Sequence, residues 1–227
     1  MFGRRNKQAD ETQAEAAVTE DAADTADAAV AAPDGPYDSS EMPGADGEED
    51  GRLDLGSVRL PLVEGAQIQV EMEENGGLRS VHLLTGVGRL TVAAFAAPRT
   101  DGMWREVVGE LADSLKTDGA DVRFEDGLWG REVVGVGEEA TLRFIGIDGP
   151  RWMVRCVAAG PDEAQAELAE LARNVLQNTV VVRGPEPLPV RSPLPVTLPP
   201  LLAEQLQEAH RQATAEGQVP TDDQPVD

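Results

Sequence analysis

Apolar side chains along the middle of the chain recur with two different periods. Leu53, Leu55, Val58 and Leu60 are separated by polar or small residues, and Ile68 and Val70 alternate with Gln67, Gln69 and Glu71; a period of two is that of a half-buried strand. Asn75, Gly76 and Gly77 tolerate positive φ, so residues 67–73 are expected to fold back on residues 78–84 as a hairpin. Residues 90–96 (Leu-Thr-Val-Ala-Ala-Phe-Ala) are apolar at both parities and read as a central strand covered on both sides. The period then lengthens. Trp104, Val107, Val108, Leu111 and Leu115 lie on one helical face, with Thr100 or Asp101 available to cap its start and Gly119 to end it.

Four short strands follow at residues 122–124, 131–136, 140–147 and 151–158, the last two joined tightly through Asp148-Gly149-Pro150. Pro161, which lacks the amide hydrogen that would go unpaired in a first turn, opens a second helix with Ala164, Leu168, Leu171 and Val175 on its apolar face. Residues 179–182 read as a last buried strand. The order βββαββββαβ, with many hairpins and two helices, predicts an α+β fold: a mainly antiparallel sheet with the helices packed on it.

Outside residues 51–184 this patterning stops. Residues 1–50 are Ala, Asp, Glu, Thr, Gly and Pro with almost nothing large to bury, the signature of a disordered acidic tail. In residues 185–200 prolines alternate with Leu and Val, which enforces extended backbone; the preferred reading is a strap laid across the domain, the alternative an exposed partner motif. Leu202, Leu206, Ala209 and Ala213 give a weak amphipathic helix, ahead of a polar tail that completes residues 201–227.

Charge narrows the functional classes. The 227 residues carry 19 basic and 42 acidic side chains, net −23, of which −11 falls in residues 1–50, −7 in 51–184 and −5 in 185–227. Such a surface repels phosphate backbones, so nucleic acid is not an expected partner. No apolar run approaches the roughly 20 residues that cross a bilayer, so no integral membrane segment is expected. The acidic stretch after Arg4, Arg5 and Lys7 does not fit a secretion signal, and a lone Cys156 fits a reducing cytoplasm.

Reactive constellations are scarce. His82 and His210 are the two imidazoles, and with one cysteine they do not supply the converging ligands of a metal site; no metal or cofactor site and no catalytic residue is expected. Cys156 shares a strand parity with Val154 and Trp152 and reads as a buried, inert thiol. The segment Gly135-Val136-Gly137-Glu138-Glu139-Ala140 imitates a dinucleotide fingerprint, but its two glutamates would repel a pyrophosphate and a strand pattern follows it. The residues that stand out are Arg99 and Trp104 at the entry to the first helix, and Arg143, Arg151, Trp152 and Arg155 around one hairpin. If one sheet face carried them, their planar guanidinium groups would hold an anionic ligand or the protein's own carboxylates, the second being favoured in so acidic a chain.

Residues 97–104 (Ala-Pro-Arg-Thr-Asp-Gly-Met-Trp), 143–152 (Arg-Phe-Ile-Gly-Ile-Asp-Gly-Pro-Arg-Trp) and 180–184 (Val-Val-Val-Arg-Gly), with the Met-Phe-Gly-Arg-Arg start, resemble an actinobacterial protein family of unknown function. The resemblance spans residues 51–200 and implies a cytoplasmic protein, without an activity, cofactor or catalytic residue. The element order also looks like that of PsbP-type folds, a likeness of architecture that does not fix function. The leading expectation is a non-enzymatic protein-binding or scaffolding domain. The alternatives are a small-anion binder or enzyme built on the arginines, and a peripheral membrane protein held by Phe2, Arg4, Arg5 and Lys7.

Overall fold

The computed structural model describes residues 35–42, 51–72, 78–200, 202–205 and 208. The basic start, the turn expected at residues 75–77, His210 and most of the helix expected after Leu202 lie outside the described residues.

In chain order the elements are β1 (Tyr37–Asp38), β2 (Arg52–Asp54), β3 (Val58–Pro61), β4 (Gln67–Met72), β5 (Leu78–Thr85), β6 (Gly88–Ala96), α1 (Met103–Thr117), β7 (Asp121–Gly127), β8 (Gly130–Val136), β9 (Thr141–Gly149), β10 (Trp152–Gly160), α2 (Gln165–Gln177) and β11 (Val180–Val181). The fold is α+β. Seven strands form one sheet in the order β4-β5-β6-β10-β9-β8-β7, with every neighbouring pair antiparallel. The short strands β1-β11-β3-β2 form a second sheet, whose β1–β11 pairing is parallel.

Strand alternation assigns the two faces of the large sheet. Leu83, Leu90, Val92, Ala94, Ile145, Ile147, Val154, Cys156 and Ala158 point one way into the main core, where they meet Leu168, Ala172, Val175 and Leu176 of α2 and Leu53, Leu55, Val58, Leu60 and Val181 of the small sheet. The opposite face receives α1. Trp104, Val108, Ala112 and Leu115 pack there against Val133, Phe144 and Met153 in a second core. Glycines let the helix approach: a Cβ at Gly146 would run into the Trp104 ring, and one at Gly135 would press on Leu115.

Four expectations change in detail. The alternation around residues 53–60 is not one strand but the hairpin β2–β3, because Asp54 Oδ1 accepts from the amide of Gly56 (2.7 Å) and Gly56 takes φ +79°. Strand β6 is covered fully on one face only; Ala94 and Ala96 are buried, whereas Ala93 and Phe95 on the α1 side are half-buried. The cap of α1 is neither Thr100 nor Asp101. Asp148 on β9 accepts from the amides of Gly102 (3.1 Å) and Trp104 (3.0 Å). Residues 35–42, inside the segment expected to be a disordered tail, are docked: Tyr37 N donates to Thr179 O (2.9 Å) and the Trp152 indole donates to Asp38 Oδ2 (2.7 Å).

Residues 185–200 run extended along the domain. Arg191 N donates to Ala96 O, Ala96 N to Ser192 O and Leu194 N to Ala94 O, each at 2.8 Å, and Thr197 N then donates to Leu55 O at 3.0 Å. The segment thus pairs with the end of β6 that β5 leaves free, since the β5 register stops at His82↔Thr91. Leu194 is buried, and Leu188, Val196 and Leu198 pack on the main core.

Candidate functional site

The β9–β10 register separates the arginines and tryptophans singled out in the sequence. Arg143 lies opposite Ala158 and points to the α2 side with Trp152; Arg155 lies opposite Gly146 and points to the α1 side with Trp104. Arg99 and Arg151 are exposed, Arg151 in the hairpin turn at φ +63°. No single sheet face carries all six residues.

Arg143 is engaged by the protein's own acids. Its terminal nitrogens reach Glu132 Oε2 (2.6 Å) and Glu125 Oε2 (2.8 Å), while Arg173 of α2 closes on Glu132 from the other side with bonds of 3.0 and 2.8 Å. Glu132 is 1% exposed, so the two guanidinium groups supply the compensation that a carboxylate removed from water requires. Burial pushes the Arg143 pKa down, but the bonds from Glu125 and Glu132 outweigh it and hold the group above its ordinary value.

Arg155 has a different environment. It lies over the Phe95 ring, with Cζ 4.9 Å from the centroid, and among the described residues no acid or hydrogen-bond acceptor partners it. Its Nε is shut off from solvent with no partner, and burial alone pushes its pKa down. An arginine stacked on an aromatic face gains some cation–π energy, yet an ion taken from water without an opposite charge is unfavourable. The group backs a cleft of about 240 Å³ between α1 and the sheet, walled by Phe95, Met103, Val107, Leu111 and Met153.

The strap supplies the rim of this cleft. Arg191, at φ +70°, donates to both Glu110 oxygens (2.8 and 3.0 Å) and to Glu106 Oε2 (3.0 Å), both on α1. Those bonds raise its pKa. The rim cation is therefore neutralised within the protein, and Arg155 is the cation of the cleft left without a partner acid.

Of the lining residues only Arg155 stood out in the sequence. Met103, Val107 and Leu111 lie four apart, a ridge beside the Trp104–Val108–Leu115 stripe, and Met153 shares the parity of Arg155 on β10. Those spacings were readable. That Arg191 returns to the same place, 36 residues after Arg155, was not.

The other candidate chemistry is internally occupied. His82 Nδ1 lies 2.7 Å from Thr91 Oγ1, and Nε2 lies 3.0 Å from Ser80 Oγ and 3.3 Å from Glu71 Oε2. Cys156 is fully buried, and burial, aided by the charge of Glu132, pushes its thiol up to about 12. Among the described residues no group of three or more His, Cys, Asp or Glu side chains is placed to hold a metal ion, and no helix is long and apolar enough to cross a membrane.

Comparison with known proteins gives a family without an activity. The family described as "Protein of unknown function (DUF3710)" matches residues 35–205. No curated protein matches the chain. Among solved structures, the cyanobacterial PsbP (CyanoP) of Synechocystis sp. PCC 6803 is similar over 55% of this chain and 86% of its own, at 9% identity and a TM-score of 0.37. A Bacteroides thetaiotaomicron crystal structure is similar over 74% of this chain and 60% of its own, at 15% identity and a TM-score of 0.40.

Proposed function

The chain belongs to the DUF3710 family, whose function is unknown, and we propose that it is a non-enzymatic, cytoplasmic binding domain whose ligand is a small organic anion with an apolar body. One observation supports this above the others: Arg155 is a guanidinium without an acid partner, backing a cleft walled by Phe95, Met103, Val107, Leu111 and Met153, with the Arg191–Glu110 ion pair at its rim. A carboxylate supplies the missing charge in a planar two-point geometry that an arginine fork matches. Apolar walls favour a hydrocarbon body over a phosphate or a sugar acid. At about 240 Å³ the cleft is smaller than sites for drug-sized ligands, which occupy roughly 300–1,000 Å³. A short aliphatic or single-ring monocarboxylate fits that description.

Hexanoate and benzoate are suitable probes, read by calorimetry and by the shift in melting temperature. Binding by the native protein that vanishes in Arg155→Met, with the unliganded melting temperature retained or raised, is the expected result. Equal stabilisation of the native protein and Arg155→Met by these acids would refute the reading, as would no response to either acid.

A protein partner is a second occupant of the same cleft, favoured by Val190, 54% exposed beside Arg191 at the rim. The partner would present a free C-terminal carboxylate after an apolar residue. Peptides ending in a free acid would then bind more tightly than their amides, and tighter than hexanoate.

A further inference from the structure

The cleft backed by Arg155 has a second arginine at its rim, and the fold gives that residue little freedom. Arg191 N donates to Ala96 O and Ser192 O accepts from Ala96 N, each at 2.8 Å, so the strap backbone is held to the end of β6 on both sides of the Arg191 carbonyl. The side chain reaches α1, where Glu106 and Glu110 lie one helical turn apart and share a face. Together they occupy both terminal nitrogens of the guanidinium: Nη1 donates to the two oxygens of Glu110 at 2.8 and 3.0 Å, and Nη2 donates to Glu106 Oε2 at 3.0 Å.

These charges do not cancel. Arg191 with Glu106 and Glu110 leaves one net negative charge at the rim, above a cleft whose own cation is Arg155. Glu110 is itself part of the cleft wall, beside Arg155 and Arg191. On the reading proposed above, on which this step rests, a first carboxylate is drawn to Arg155. A second carboxylate at the far end of the same ligand meets a rim of its own sign. It does not take Arg191 from the two glutamates, because they are tethered to the same fold and hold the guanidinium through three bonds at once. Without them the cleft would present two arginines and match a dianion.

We infer that Glu110, supported by Glu106, is the specificity-determining residue of the cleft: by engaging Arg191 it restricts the ligand to monoanions. The apolar walls also disfavour a second charge, but their contribution does not depend on Glu110, and that difference makes the role of the rim measurable.

The test compares acids that differ only at the far end, hexanoate with adipate and octanoate with suberate, by calorimetry at neutral pH and low ionic strength. The native protein binds the monoacid of each pair more tightly. Glu110 is 62% exposed at its side chain, so Glu110→Gln leaves the core packing untouched, makes the rim neutral and leaves Arg191 with its bond to Glu106. The ratio of diacid to monoacid affinity then rises by roughly three- to fivefold, the worth of one charge about 5 Å away in water. Adding Arg191→Gln removes the guanidinium and returns the rim to one net negative charge, and the ratio falls back to the native value. A native protein that binds neither monoacid refutes the underlying reading and this inference with it. Monoacid binding with the same ratio in the native protein and Glu110→Gln overturns the inference alone, as does a ratio that stays raised in the double variant.

Discussion

Asp148, the third residue of the Gly-Ile-Asp-Gly segment on β9, caps a helix 44 residues before it: its carboxylate accepts from the backbone amides of Gly102 and Trp104 at 3.1 and 3.0 Å. Gly102 itself sits at φ +109°, and no side chain of the residues leading into α1 caps its first turn. The bond therefore ties α1 to the sheet as well as satisfying its first amides. Asp148→Ala should cost about 1–2 kcal/mol, read as a lower urea midpoint at unchanged slope. Thr100→Ala and Asp101→Ala, which remove no cap, should leave the midpoint in place.

The charged cluster beneath α2 gives a larger effect. Glu132→Ala leaves Arg143, 5% exposed at its side chain, without its closest carboxylate, and breaking a buried pair by removing one partner costs about 3–5 kcal/mol. Glu125 still answers Arg143, which places the loss toward the lower end of that range. Arg173→Ala should cost less than Arg143→Ala, because Arg173 is 25% exposed at its side chain and water replaces part of what it donates. Equal losses for the two arginines in urea unfolding would contradict this ranking.

Two partly buried carboxyls contribute to the acid limit of stability. Burial pushes Asp38 up, but the hydrogen bonds from Ser40 and from the Trp152 indole outweigh it and hold the group below its ordinary 3.8. Glu125 is likewise raised by burial and lowered further by Arg143 and Arg123, ending below 4.5. A group whose folded pKa lies below its unfolded one stabilises the fold fully above the unfolded value, and that stabilisation disappears as pH falls through the folded value. Stability should therefore be level near pH 5 and decline below about pH 4. Asp38→Asn should lower the plateau and make the decline shallower, since one of the protons taken up on unfolding is gone.

Much of the architecture was legible because it depends on local periodicity. The hairpins, the two helices and the antiparallel α+β arrangement follow from the alternation at β4, the apolar run of β6, the helical stripe of Trp104 to Leu115, and turns at Gly and Pro. What was not legible depends on contacts distant in sequence. The Asp148 cap, the Trp152–Asp38 bond that anchors β1, and the buried Glu132 each join residues whose own neighbourhoods say nothing of the partner. The motif Gly-Ile-Asp-Gly-Pro-Arg-Trp has a structural reading at almost every position: Gly146 admits the Trp104 ring, Asp148 caps α1, Gly149 lies under the Trp152 ring, and Arg151 takes the left-handed turn. The candidate site shows the same division. The parity of Arg155 was readable, but its lack of an acid partner emerges only when Arg191 is seen to take Glu106 and Glu110.

Cys156 offers a direct test of how tightly the main core is held. It lies on β10 between Val92 of β6 and Ile145 of β9, its register partners, and is 0% exposed. Thiol chemistry requires the thiolate, and a group pushed up to about 12 is almost entirely protonated at neutral pH. Access and ionisation therefore act in the same direction, and both are released only when the central strands separate. The thiol should resist alkylation by iodoacetamide in the native protein and react fully in urea. Its labelling rate should rise with urea in parallel with the unfolded fraction reported by tryptophan fluorescence, since Trp104 and Trp152 flank the same strands. Arg155→Met, which alters the cleft on the opposite face of β10, should change that rate only as far as it changes the unfolded fraction. Labelling in the absence of urea at the rate of a free thiol would show that β6, β10 and β9 open without global unfolding.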